Sequence, residues 1–448
     1  MSSSSALLRT NRNFRLLFFG QAVSQLGDWF NSVAVFALLL DLTGSATAVA
    51  WLMIVQFLPM AVIGPVAGVV VDRFDRRRLM IAADLVRGVL VLGLLLVHTR
   101  DDVWIAYAVM TLTVTASAFF EPARTATIPN VTSREELLSA SALSSATWAA
   151  MLALGASIGG LVTAFAGREF AFVLNAASFF LSAVFISRTR INRAPRHAAS
   201  AAGHVGVDAQ ASADGPPAAS PRTRDWRGLV GLLDLSEGFG YVRRNSRVAA
   251  LMCVKAGWGL AGGVLLLLSV FGHRVFPVAG STAAGIGVLY GARGVGAGLA
   301  PLTLRFILGQ SPAMMRRAIG PAYFIVGGFY VALAAAGSLP MAAACVLLAH
   351  FGGSMLWVFS TVLLQMEVPD AYRGRVFAAE LALVTLTSSI SSYVTGFALD
   401  VLGWSPRALS SVIGVGFAVP GVLWLIWNWR LPQVAELDAT APQQISRA

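Results

Sequence analysis

Five ionisable residues stand inside long apolar stretches of this chain: Asp28, Lys255, Arg293, His350 and Glu380. An ionisable group in hydrocarbon is costly, so each is a candidate for function, either as a proton carrier or as a charge that holds a ligand. Asp28 is the first candidate for carrying a proton, with His350 and Glu380 behind it. An apolar environment favours the neutral carboxyl, and a nearby cation favours the carboxylate. A site whose cation partner moves away in one state therefore takes up and releases a proton. Asp28, Lys255 and Arg293 are also candidates for lining a substrate cavity, and their excess of cations favours an anionic or catechol-like substrate unless Glu380 neutralises one of them. The plainer reading of Asp28 is a fixed pair with Lys255 or Arg293 that ties helices together. The plainer reading of His350 is a hydrogen-bonded packing residue.

A second group lies at the end of an apolar run: Gly64-Pro65-x-x-Gly68-x-x-x-Asp72-Arg73-Phe74-Asp75-Arg76-Arg77-Arg78. Gly68 lets a neighbouring helix approach closely. Asp72 can cap a helix N-terminus or pair with an arginine across a moving interface. The group Gly68, Asp72, Arg73, Arg76, Arg77 and Arg78 is therefore expected to act as a cytoplasmic gate, with a tight turn held by positive charge as the plainer alternative. Asp84 and Arg87 follow, one helical turn apart, and are expected to support the gate as a local pair. Glu121 and Arg124 are spaced in the same way.

Other chemistries find no support. There is no Cys/His spacing for zinc, no metal cluster and no cofactor motif. A phosphate-binding loop needs Gly-Lys-Ser/Thr, and the lone lysine, Lys255, is followed by alanine. No paired carboxylates or Ser/His/Asp set stands clear of the helix pattern, so no enzyme is expected. Cys253 and Cys345 both fall in apolar runs and read as small core residues. The net charge of +11 is nearly all arginine, lying in gaps between apolar runs rather than on one basic face, which argues against nucleic-acid binding.

These residues need elements that hold them in a bilayer. Of 448 residues, 56% are hydrophobic and only 12% charged. Soluble proteins carry roughly 25% charged residues, so a lipid bilayer is the expected surrounding. A spanning helix needs about 20 mainly apolar residues. Twelve such spans are expected, near 15–40, 46–71, 78–98, 103–121, 138–165, 169–187, 248–272, 279–304, 314–336, 340–367, 375–399 and 405–429. Asp28 then sits roughly 20 Å along span 1 from Arg15, Lys255 about 12 Å from Arg247, and Arg293 about 18 Å from Arg305. Trp104, Trp404, Trp424, Trp427 and Trp429 lie near span ends and read as interface anchors.

The expected fold is all-α, with two six-helix bundles at 15–187 and 248–430. Polar tails cover 1–14, with no cleaved leader evident, and 431–448. The stretch 188–247 is a middle loop, rich in Ala, Ser, Gly and Pro at first, then an amphipathic helix near 226–244 lying on the membrane surface. Alternating gaps put Arg73, Arg76, Arg77, Arg78, Arg124, Arg316, Arg317, Arg373 and Arg375 on one side with both tails and the middle loop. The other side holds Arg100, Arg168, Arg274 and Arg407. The first side is thus expected to be cytoplasmic. A shift of 232 residues aligns Gly64 with Gly296, Gly68 with Ala300 and Arg73 with Arg305, a weak internal repeat. Leu304 stands where Asp72 would recur, so one gate latch is expected rather than two.

The loop after span 2 matches the cytoplasmic signature of the major facilitator superfamily. Further segments narrow the resemblance: Leu26-Gly27-Asp28-Trp29, Phe119-Phe120-Glu121-Pro122-Ala123-Arg124, Asn175-Ala-Ala-Ser178-Phe179-Phe180 and Val368-Pro369-Asp370-x-x-Arg373-Gly374-Arg375-Val376-Phe377. Together they resemble the branch of drug:proton antiporters that contains macrolide-efflux and enterobactin-exporter proteins. That resemblance implies export driven by the proton gradient, and a central cavity lined by spans 1, 4, 7 and 10. The antiporter signature in span 5 is partial. Gly155, Gly159 and Gly160 are present for close packing between the halves, but Ala156 stands where family exporters carry proline.

The expectation is a monomeric secondary transporter of a bacterial inner membrane, with both termini cytoplasmic, that exports a drug, siderophore or other small amphipathic compound. The rivals are an importer or lysophospholipid transporter of the same fold, and a membrane sensor that moves nothing.

Overall fold

The computed structural model describes residues 7–133, 136–190, 240–260, 263–278, 280–307 and 311–430. Its helices run as α1 (Arg12–Thr43), α2 (Ala46–Arg73), α3 (Arg76–Leu92), α4 (Val103–Val131), α5 (Leu137–Ala166) and α6 (Arg168–Ser187). After the middle loop come α7 (Ser246–Val275), α8 (Thr282–Ile307), α9 (Pro312–Ala334), α10 (Leu339–Glu367), α11 (Asp370–Asp400) and α12 (Pro406–Arg430). Ten of these are long and apolar enough, over the described residues, to cross a membrane. Helices α2 and α8 occupy the other two expected spans. The amphipathic helix expected near 226–244 falls mostly outside the described residues, as do residues 1–6 and the whole C-terminal tail.

Local chemistry sets the helix ends. Asn11 caps α1, its side chain accepting from the Phe14 amide, and Gly44 closes the helix at φ 66°, a left-handed conformation glycine adopts without strain. Ser45 caps α2 and Asp75 caps α3 in the same way. Helix α4 departs from expectation. It runs ten residues beyond the expected end at 121, through Pro122 and Pro129. Proline removes one backbone donor, but neighbouring helices can take up the polar groups it frees. The described residues of α7 are helical over Ser246–Leu260 and Val264–Val270 and end in a π-turn at 271–275.

Packing repeats between the halves. Helix α2 packs on α4, α3 on α4 and α6, and α1 on α5; correspondingly α8 packs on α10, α9 on α10 and α12, and α7 on α11. Adding six to each helix number maps the first set onto the second, the three-dimensional form of the weak sequence repeat. The halves meet through two equivalent crossings, α5 on α8 and α2 on α11. At the first, a methyl group placed on Gly160 would lie 2.7 Å from the Gly287 Cα, so only glycine fits. Gly155 and Gly159 do not lie on this seam, contrary to expectation. They receive α1 at Trp29 and Phe30, inside their own half. The glycines are spaced so that two face one neighbour and the third another.

Two further expectations change. Cys345 is buried, but Cys253 is exposed on α7. Trp424 is buried rather than placed as an interface anchor, its indole N–H donating to the Arg316 carbonyl at 2.9 Å, while Trp104 and Trp429 are exposed.

Candidate functional site

Helices α1, α7, α8, α10 and α11 carry the five intramembrane candidates, which do not meet in one cluster. The α7 lysine faces α11: Lys255 Nζ donates to Glu380 Oε2 at 2.9 Å, and both side chains are buried. The ammonium also lies 4.8 Å from the Trp357 ring centroid, within cation–π range. Two of the sequence candidates therefore satisfy each other within the C-terminal half. A pair this dry depends on both members, because removing one leaves a buried charge uncompensated.

His350 on α10 is buried, and its Nε2 lies 3.0 Å from the Tyr330 hydroxyl of α9. One ring nitrogen is thus occupied by a packing hydrogen bond between neighbouring helices.

Asp28 on α1 is half-buried, and its carboxylate has no hydrogen bond or ion pair among the described residues. It is paired with neither Lys255 nor Arg293. Gly27 sits against Asn175 and Ser178 of α6, and Asn31 reaches Met110 of α4 at 3.3 Å.

Arg293 on α8 is 9% exposed, and it too has no acidic partner and no hydrogen bond among the described residues; its Nε–H is buried and unsatisfied. Its guanidinium lies 5.7 Å from the Trp29 ring centroid, on the other half, and 5.6 Å from that of Tyr290. Trp29 in turn meets Trp148 of α5 edge-on at 6.3 Å.

At the arginine-rich end, Arg76 donates to the Ala126 carbonyl of α4 at 2.7 Å, and Arg77 donates to the Ile186 and Ser187 carbonyls of α6. Arg73 is exposed. Gly68 lies within α2, and the Asp72 side chain is outside the described part. Asp84 and Arg87 form the expected local pair. Both are buried, with Arg87 also reaching Ser117 Oγ at 3.2 Å and lying 4.4 Å from the Phe179 ring centroid. Arg124 bridges Glu121, at 3.0 Å, to Gln21 of α1, at 2.8 Å.

The opposite end holds a feature the sequence reading missed. Asp400, ending α11, accepts from Ser45 Oγ at 2.7 Å and from the amides of Ala46 and Thr47 at 3.1 and 2.7 Å. It thereby caps the N-terminus of α2, where carboxylates are favoured. Beside it, Asp41 of α1 lies 2.9 Å from His273 Nε2 and accepts from Thr282 at 3.3 Å, and Arg274 donates to the Gly44 carbonyl at 2.6 Å. These contacts latch the two halves together. The signal was present: Asp41 and Asp400 are acids at span ends on the arginine-poor side.

Comparison with known proteins agrees with this architecture. The chain is 31% identical over 183 residues to the putative bacilysin exporter BacE of Bacillus subtilis, covering 41% of this chain and 45% of the relative. It is 35% identical over 131 residues to macrolide efflux protein A of Streptococcus pyogenes, covering 28% of this chain and 32% of the relative. The matched regions thus span less than half the length of these relatives. Among solved structures, a POT family transporter in complex with 5-aminolevulinic acid superposes with a TM-score of 0.68 at 10% identity, over 94% of this chain and 97% of that one, a likeness of fold alone. The family model described as Major Facilitator Superfamily matches residues 17–379. That match, over helices repeated as two halves around a glycine seam, means that the chain belongs to the Major Facilitator Superfamily.

Proposed function

We propose that this protein is a secondary active transporter that exports a small amphipathic compound in exchange for protons. The observation that carries the reading is Asp28, a carboxylate within a spanning helix that has no hydrogen bond or ion pair among the described residues and feels Arg87 only through space, while Glu380, Asp84 and Glu121 are each committed to a basic partner. An intramembrane carboxylate kept without a direct partner is a functional site by default, and its protonation is the use that fits. His350 and Glu380 stand behind Asp28 as proton carriers. The relatives named as a bacilysin exporter and a macrolide efflux protein support outward transport.

The two halves rock about the α5–α8 and α2–α11 seams. The Asp400 and Asp41 latches support a conformation closed at the arginine-poor end. In this reading that end faces outward, across a bacterial inner membrane, and both termini face the cytoplasm. The Asp72 region then forms the gate of the opposite end.

The test is accumulation of macrolides, cationic dyes, catechol siderophores and lysophospholipids in cells with and without the protein, repeated with a protonophore. Lower accumulation of at least one compound, restored by the protonophore, is the expected result. Uptake in place of export, or export indifferent to the gradient, overturns the reading.

A further inference from the structure

Every interior acid with a described side chain except Asp28 is committed to a basic partner: Asp84 to Arg87, Glu121 to Arg124 and Glu380 to Lys255. The cations Arg87, Arg124 and Lys255 are neutralised by the same pairs. Arg293 is left over. It is more than nine-tenths buried, with an orphaned Nε–H and no acceptor within hydrogen-bond reach among the described residues. A buried charge without a partner is strongly unfavourable unless something else compensates it.

Two aromatic rings supply part of that compensation. Trp29 and Tyr290 lie 5.7 and 5.6 Å from the guanidinium carbon, within cation–π range. Ring faces do not satisfy N–H donors, and a guanidinium presents several in one plane. The matching acceptor is a planar oxyanion, bound by two parallel hydrogen bonds. Trp29, beside the guanidinium, meets Trp148 edge-on at 6.3 Å, and Trp148 is 43% exposed, so an apolar body attached to such an anion has an aromatic surface to lie against. Trp29 belongs to one half and Arg293 to the other, so a ligand held here touches both.

We propose that Arg293 is the anion-binding subsite of the transported compound, taking a carboxylate whose flat apolar body packs on Trp29 and Trp148. The proposal deepens the export reading, on which its transport role rests, by assigning the substrate class: amphipathic organic carboxylates. Lys255, an equal candidate from sequence, is excluded from this role by its pairing with Glu380.

The probes are 2-naphthoate and its neutral isostere 2-naphthamide, measured by equilibrium dialysis against the full chain in lipid nanodiscs. Wild type is expected to bind naphthoate saturably and more tightly than the amide. Arg293→Gln should weaken naphthoate by about tenfold or more, the scale of a lost charge-assisted pair, and leave the amide unchanged. Arg293→Lys should fall between. Trp29→Ala, which keeps the cation, should weaken both probes. Equal affinity for acid and amide, no saturable naphthoate binding, or unchanged naphthoate affinity in Arg293→Gln overturns the proposal. Should Arg293→Gln fail to give a monodisperse protein, unchanged naphthoate affinity in both Arg293→Lys and Trp29→Ala overturns it instead. Protonophore-sensitive export of a neutral or cationic compound, undiminished by Arg293→Lys, overturns the proposal while leaving the export reading standing. Loss of gradient dependence for every compound overturns the export reading, while naphthoate binding still decides this one.

Discussion

Lys255 Nζ and Glu380 Oε2 lie 2.9 Å apart, joining α7 to α11 across 125 residues of sequence. This contact redistributes the roles of the intramembrane charges. It takes a cation out of the pool available to ligands, ties Glu380 to a basic partner, and leaves Arg293 and Asp28, on opposite halves, without a hydrogen bond or ion pair among the described residues.

Breaking that pair from one side should destabilise the protein more than removing it whole. Lys255→Met and Glu380→Gln each strand a buried polar group, at a cost of about 3–5 kcal/mol. The double variant removes both charges and should recover much of the loss. Thermal melting of the purified protein in detergent measures all three. A double variant less stable than either single one would contradict the pairing.

Asp28→Asn should abolish gradient-driven export while the protein remains folded in the membrane. The amide keeps the size and hydrogen-bonding shape of the side chain but cannot carry a proton. Accumulation assays with a protonophore control, alongside membrane abundance, read the two effects separately. Full gradient-driven transport by this variant would remove Asp28 from the mechanism.

The seam between α5 and α8 should not tolerate side chains. In Gly160→Ala the new methyl would lie 2.7 Å from the Gly287 Cα and 2.8 Å from the Ala283 carbonyl oxygen, both backbone atoms that cannot turn aside. Overpacking of this kind costs about 1–3 kcal/mol, and it should also slow transport by wedging the halves apart. Gly328→Ala, where nothing lies within 4 Å, is the matched control and should be neutral or slightly stabilising. Melting temperature and transport rate are the readouts.

The Asp400 latch should control opening at the arginine-poor end. Asp400→Ala removes the acceptor shared by Ser45, Ala46 and Thr47. Ala50 is buried near Gly396 at that crossing. In a background lacking Cys253 and Cys345, a cysteine placed by Ala50→Cys should react several-fold faster with a membrane-impermeant maleimide, added from outside, once Asp400 is replaced. Equal labelling rates with and without Asp400 would mean that the seam stays shut without this latch.

Much of this protein is legible in one dimension. Spans can be read because a bilayer demands about 20 apolar residues for each crossing, and the arginines fall in the gaps. The intramembrane charges stand out because hydrocarbon makes them expensive wherever they lie. The Asp84–Arg87 pair was readable because residues three apart share a helix face. The continuation of α4 through Pro122 was not, because a proline's effect depends on what neighbouring helices can offer the freed backbone groups.

What the sequence alone determined is therefore which ionisable residues lie inside long apolar stretches and how far along each stretch they stand, since both follow from local composition and a fixed rise per residue. Only the tertiary structure decided which of them meet. The partner of Lys255, the division of Gly155, Gly159 and Gly160 between α1 and α8, the burial of Trp424 and the latch on Asp400 depend on how each helix is rotated and which helix stands beside it. Rotation and neighbour order are set by close packing across the whole bundle, and no local stretch of sequence carries that information.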